Sequence, residues 1–455
     1  MGRAAETALT GTRDTGTAPG TPRPRRRLLA DLTPLRESPA FRRLWSGQAL
    51  ANIGQQFAFT AIGLQVYALT GSSFAVGLVG VCGLLPLVLL GLYGGAVVDA
   101  HDRRTVAVVS GLGLWTVSLV TALQSWLGMR SVLLLYVLVA AQAAAFAVNN
   151  PARSTIMSVL VRRELLPTAN ALSMLSFQLG WAIGPILGAW TASAYGFRSA
   201  YTVDAITYLA ALTGMWRLPR LPPQGEPRRA GLRSVLEGLR FLGTRPNVRM
   251  TFLVDLTAMV LAQPRALFPA IGALVLGGGK TTAGALASAI AVGAVLASLL
   301  SGPLGRVRRQ GVAVLLCVAG WGAAIAGFGL ICLIAAPEHL PGPGASGTAA
   351  VSWLLVPAVI ALALSGMADA VSSVFRNTIL QAATPDSLRG RLQGVFIVVV
   401  AGGPRLGDLV AGTGGKLFGE PLAALAGGLA CVLAVVALAR RQPRFARYDA
   451  AHPQP

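Results

Sequence analysis

Residues that do chemistry in water are scarce in this chain. Charged side chains make up 12% of its 455 residues, about half the share found in a soluble globular domain, and this excludes an ordinary water-soluble enzyme. Four cysteines, Cys82, Cys317, Cys332 and Cys431, all lie in apolar runs; they make no disulfide framework and read as small hydrophobes. Three histidines, His101, His339 and His452, stand at no metal-ligand spacing, and no Gly-x-Ser-x-Gly occurs. No catalytic residue, metal or cofactor is therefore assigned. Gly277-Gly278-Gly279-Lys280-Thr281 resembles the end of a phosphate-binding loop, but Leu274 stands where its first glycine belongs, so ATP-driven transport has no support.

What is abundant is apolar length. Hydrophobic residues make up 54% of the chain and mean hydropathy is +0.63. A membrane-crossing helix needs about 20 apolar residues, and twelve such runs can be marked, near 43–69, 74–98, 105–127, 131–152, 168–193, 197–216, 250–275, 282–304, 311–335, 351–375, 391–415 and 421–439. Residues 1–40 are polar and rich in proline and arginine, and read as a disordered basic tail. Residues 441–455 form a second tail.

The net charge of +21 at first points to nucleic acid, but its placement excludes that partner. With the N-terminus inside, 32 of the 38 basic residues fall on inner segments, four on outer ones, and Arg265 and Arg405 within spans. Basic residues resist crossing, so the asymmetry predicts both termini on the cytoplasmic side and anionic lipid headgroups as the partner of this charge. The 36 arginines against two lysines fit a high-GC bacterium, hence a bacterial cytoplasmic membrane.

The chain also repeats. Arg153-Ser-Thr-Ile-Met returns as Arg376-Asn-Thr-Ile-Leu, and Gly184-Pro185-x-x-Gly188 as Gly403-Pro404-x-x-Gly407. The expected fold is thus an all-α membrane protein of twelve transmembrane helices in two pseudo-symmetric six-helix bundles, 41–216 and 250–440. The bundles are joined by a cytoplasmic linker, 217–249, that is Pro-rich at first and then an amphipathic surface helix. Parallel halves around a shared cavity are the build of a secondary transporter with alternating access.

Short motifs narrow this further. Gly95-Ala-Val-Val-Asp99-Ala-His-Asp102-Arg103-Arg104 resembles the cytoplasmic loop motif of the major facilitator superfamily. The resemblance implies a gate built from Gly95, Asp99, Arg103 and Arg104, against the plainer reading of a tight turn with topogenic arginines. The match departs from the family pattern at Ala100 and Asp102, and Arg306 stands at the aspartate's place in the second half. Gly180, Gly184, Pro185 and Gly188 on span five resemble the Gly-Pro motif of the superfamily's exporters; a generic packing kink is the alternative. On span four Gln142 fits the proton-driven exporters' motif, while Val139 stands where an arginine belongs. Asn150-Pro151-Ala152-Arg153, Pro264-Arg265-Ala266-Leu267-Phe268-Pro269 and Pro385-Asp386-Ser387-Leu388-Arg389 resemble the branch that contains enterobactin exporters and macrolide-efflux proteins.

Ionisable residues within spans cost about 2.5–3.5 kcal/mol each at a helix centre, so they should face the interior. Asp255 is the first candidate for a proton-coupling or substrate carboxylate, with a counter-ion for Arg265 or Arg405 as its rival role. Arg265, ten residues on, lies about 15 Å further along a continuous helix. Asp204, Asn52, Gln56 and Gln178 are further cavity candidates. Arg405 and Asp408, three apart, are expected to pair as a staple or gating switch, and Asp369 and Arg376, seven apart, to give structural support. The function implied is export of a drug-like or siderophore-like small molecule by proton antiport, from a monomer. Import of a metabolite on the same fold, or a membrane sensor without transport, are the alternatives.

Overall fold

Polar caps and glycines punctuate the chain where the apolar runs end. The side chains of Ser38, Ser72, Asp102 and Ser131 accept the backbone N–H three residues on, at 3.2, 3.4, 2.8 and 3.2 Å, each satisfying one orphan donor of a helix start. Asp102, one of the two departures from the loop motif that this stretch resembles, is one of these caps. Gly71, Gly196 and Gly419 turn the chain with φ of +62°, +83° and +84°, a region that only glycine adopts without strain.

Between these points the computed structural model, which describes residues 32–218, 240, 242–300, 307–336, 352–382 and 386–449, forms twelve long helices. They are α1 (Pro39–Thr70), α2 (Ser73–Ala100), α3 (Arg103–Trp126), α4 (Val132–Leu160), α5 (Leu166–Ala194), α6 (Phe197–Trp216), α7 (Pro246–Leu261), α8 (Gly279–Leu299), α9 (Gln310–Ala335), α10 (Leu355–Ala382), α11 (Asp386–Phe418) and α12 (Glu420–Arg441). Nine of them, α7 counted through Val275, are long and apolar enough to cross a membrane by length and composition. The other three, α1, α6 and α11, carry the inward polar residues Asn52, Gln56, Asp204, Arg405 and Asp408. The tail 1–31, most of the linker and the side chains of 92–96, 99, 158, 163, 167, 381–398, 400 and 401 lie outside the described residues.

Helix packing repeats between the halves. In the first, α1 packs on α5 and α6, α2 on α4, and α3 on α4 and α6; in the second, α7 packs on α11 and α12, α8 on α10, and α9 on α10 and α12. Each pairing recurs six helices later. The halves meet along α2 with α11 and α5 with α8, which are again one pairing seen twice. This is the twin-bundle architecture. Its outer surface exposes large side chains such as Leu133, Leu299 and Leu433, which in lipid need no covering.

Two details depart from the sequence-based expectations. Span seven is not one continuous helix: α7 stops at Leu261, and the chain resumes as a 3₁₀ turn (Arg265–Leu267), a single turn (Phe268–Ala270) and a π-turn (Ile271–Val275). Pro264 and Pro269 lack the N–H a helix needs, and the carbonyl freed at Ala262 accepts the Trp321 indole N–H at 3.1 Å. The 15 Å helical spacing between Asp255 and Arg265 does not hold, because the helix ends between them. Trp321→Phe should lower stability by about 1–3 kcal/mol by orphaning that buried carbonyl, read as a lower unfolding midpoint in detergent. Secondly, α4 and α10 run seven to eight residues past their expected ends, so Arg153 and Arg376 lie within helices rather than in loops.

Candidate functional site

Six helices, three from each half, wall a cavity of about 60 Å³ between the bundles. Span one contributes Gln56 and Phe59, α2 Gly80, α5 Pro185, the broken segment after α7 Arg265 and Phe268, α8 Ala287 and α11 Asp408. The walls approach closely because glycines line the contacts. On α5, Gly180, Gly184 and Gly188 face Asn52, Gln56 and Phe57 of α1; a Cβ at Gly180 would lie 3.2 Å from the Asn52 carbonyl carbon, and one at Gly188 2.8 Å from Phe57 Cα. Gly184 would collide with Gln56 Cβ. The Gly-Pro motif thus packs α5 on α1, while its Pro185 carbonyl and Ala189 lie against Gly284 of α8 in the other half.

Among the described residues, contacts between the halves lie toward the end of the bundle away from the termini. Gly77 rests on the Asp408 carbonyl and Gly412 on Ser73 and Phe74. The Ser73 hydroxyl donates to Glu420 Oε1 at 2.8 Å. On the opposite seam the Ile186 N–H, next after Pro185, donates to Ser288 Oγ at 3.1 Å, and Lys280 Nζ to the Ala192 carbonyl at 3.1 Å.

Two charge clusters occupy the interior. In the second bundle Arg376 of α10 donates through Nη1 to Asp255 Oδ1 of α7 and through Nη2 to Asp369 Oδ1 at 3.1 Å. Asp255 and Arg376 are buried, whereas Asp369 keeps a third of its side chain exposed. A separate cavity of about 150 Å³ opens on all three, with Thr251, Ser373 and Asn377. The partner of Asp255 is therefore Arg376, not Arg265 or Arg405, and Asp369, which shares a helix face with Arg376, forms the other arm of a triad. Two carboxylates on one guanidinium carry a net charge of −1. The repeat-related Arg153 has an amide instead, its Nη1 reaching Asn149 Oδ1 at 3.3 Å.

The second cluster lies where the halves meet. Arg265 stacks its guanidinium 4.3 Å from the Trp181 ring centroid and 5.5 Å from that of Phe59. Arg405 and Asp408, expected to pair, make no direct ion pair. Asp408 Oδ1 and Arg405 Nη1 are buried without hydrogen-bond partners. Helical side chains lean toward the N-terminus, which carries Arg405 away from Asp408: its Nε lies over Gly83 of α2, while Asp408 Oδ2 lies over Gly80.

The remaining candidates scatter. Asp204 is buried within the first bundle with Oδ1 unpartnered, next to the Gly54 backbone, and neither cavity includes it. Asn52 accepts from Gln48 Nε2 at 2.6 Å; Gln178 is half-buried on α5. Of the loop motif, Arg104 Nη2 donates to the Trp216 carbonyl at 2.7 Å, closing the end of α6, and Arg103 is buried at the start of α3. The environments of Gly95 and Asp99 lie outside the described residues.

The family model described as transmembrane secretion effector matches residues 29–454. The chain belongs to that family. The chain is 29% identical over 432 residues to the enterobactin exporter EntS of Shigella boydii serotype 18 and to that of Escherichia coli O81, covering 94% of this chain and 97% of each relative. Solved structures share its fold. A POT family transporter in complex with 5-aminolevulinic acid matches with TM-score 0.69 at 10% identity, over 90% of this chain and 97% of that one. A D-xylose–proton symporter matches with TM-score 0.66 at 12%, over 87% and 97%. By the family match and these relatives the chain is a multi-pass transporter of the major facilitator superfamily, not an enzyme.

Proposed function

We propose that this protein exports a small molecule, a siderophore-like or drug-like natural product, across the bacterial cytoplasmic membrane by proton antiport, as a monomer with both termini in the cytoplasm. The similarity to enterobactin exporters supports a siderophore-like cargo, and the basic inner segments support the orientation. The observation that carries the coupling is the Asp255–Arg376–Asp369 triad. One guanidinium between two carboxylates leaves one negative charge in excess, so a single proton can enter or leave while the arginine always keeps a partner. That satisfies the rule that a buried charge be paired in both states of a transport cycle.

A proton crossing 100 mV supplies about 2.3 kcal/mol, enough for a roughly fiftyfold cargo ratio. The gate belongs to Gly95, Asp99, Arg103 and Arg104 at the cytoplasmic loop. The test is cargo movement into inverted membrane vesicles from a panel of siderophores and antibiotics, with and without a proton uncoupler. Uptake into the vesicles that collapses with the uncoupler is expected. Indifference to the uncoupler removes proton coupling, and movement in the opposite direction makes the protein an importer.

A further inference from the structure

The cluster between the halves holds two arginines and one carboxylate. Asp408 is the only carboxylate acting on Arg265 or on Arg405 among the described residues, and Asp255 and Asp369 are taken by Arg376. Arg265 and Asp408 line a cavity whose other walls are mostly apolar, including Phe59, Val79 and Phe268, and Arg405, beside Gly83 on the same seam, leaves the cluster with one positive charge in excess. Such a charge is costly away from water unless a counter-charge arrives. Arg265 has no ion pair among the described residues; its guanidinium stacks on Trp181 and Phe59. Arg405 Nη1 is buried with no partner. An unpartnered donor, a stacked guanidinium and an apolar wall together specify a ligand with one acidic group and an apolar body.

We propose that this cluster is the cargo site and that it selects organic anions, the acid group held by Arg265 and Arg405 and the apolar body lying against Phe59 and Phe268. The inference rests on the export reading for the word cargo, but not for the binding chemistry. Export of an anion also runs with an inside-negative potential, each charge adding a roughly fiftyfold driving ratio at 100 mV.

Binding to the purified full chain in detergent tests it, independently of direction or coupling. The probes are 2-naphthoate, 2-naphthalenemethanol and 2-naphthylmethylammonium, equal in ring and differing in charge, titrated by quenching of tryptophan fluorescence. The carboxylate should bind at least about tenfold tighter than the alcohol, and the ammonium weakest. Arg265→Gln should reduce the preference to less than about twofold, Arg265→Lys should retain part of it, and Trp181→Phe should remove most of the quenching. Equal binding of carboxylate and alcohol, preference for the ammonium, or no carboxylate binding up to millimolar concentration overturns the proposal, without needing any variant to fold. Quenching unchanged in Trp181→Phe overturns the placement. The titration is repeated in nanodiscs of phosphatidylcholine and of phosphatidylglycerol; affinity lost only in the latter assigns the site to lipid headgroups and overturns it as well. Anion binding without vesicle transport would sink the export reading and leave the site.

Discussion

Asp255→Asn is expected to abolish gradient-driven transport, lowering the cargo ratio reached in energised vesicles by at least about tenfold of the fifty available, while exchange of cargo down its own gradient continues. The variant removes the excess charge of the triad and leaves Arg376 paired with Asp369, so folding is retained but no proton need be exchanged. Arg376→Gln is a different lesion. It strands two carboxylates in the second bundle, and breaking a buried pair in that way costs about 3–5 kcal/mol. It should therefore appear as lost expression or a lower unfolding midpoint rather than as uncoupling. Asp369→Asn removes the same excess charge and leaves Arg376 paired with Asp255, so it should uncouple as well. Paired measurements of energised and downhill flux on the three variants check this. Full coupling in Asp255→Asn would remove the triad from the mechanism.

The second large effect concerns the seams. Gly77 lies on the Asp408 backbone and Gly284 on Ala189 and the Pro185 carbonyl, so both glycines are needed only while the halves touch at the end away from the termini. Overpacking costs about 1–3 kcal/mol. Charged against one conformer alone, that shifts the balance toward the other by about 5- to 150-fold. Gly77→Val and Gly284→Val should each hold this end open, and together more so, because they lie on separate seams. Gly366→Val is the control: Gly366 meets the Ile290 backbone within the second half, so its substitution should lower stability without favouring either conformer.

Much of this was legible in the chain because lipid makes simple demands. Twelve apolar runs become twelve helices, since no other open structure satisfies backbone groups in hydrocarbon, and the repeats at Arg153/Arg376 and Gly184/Gly403 mark the twin bundles. The seven-residue spacing of Asp369 and Arg376 puts them on one helix face, and they touch there. What the chain hides is contact across helices. Asp255 and Arg376 are 121 residues apart, and nothing local joins them. The Arg405–Asp408 pairing failed for a complementary reason: three residues on one face is a local rule, overridden here by the direction of the side chains and by the glycine face of α2. Span seven reads as one apolar run because hydropathy does not register missing N–H groups; Pro264 and Pro269 were the available signal. The extra length of α4 and α10 escaped because a helix continues past the apolar region when its arginines find partners inside, as Arg376 does.

Two rigid halves that rock about a shared cavity can be followed by distances between spin labels. One pair joins Ala68 of the first half to Phe418 of the second, at the end away from the termini; the other joins Glu164 to Arg308 at the opposite end. All four positions are exposed. Adding cargo or changing pH should move the two distances in opposite directions, one lengthening as the other shortens, and Gly77→Val should bias the first pair toward the long distance. Two distances that stay fixed, or that change together, would contradict the account.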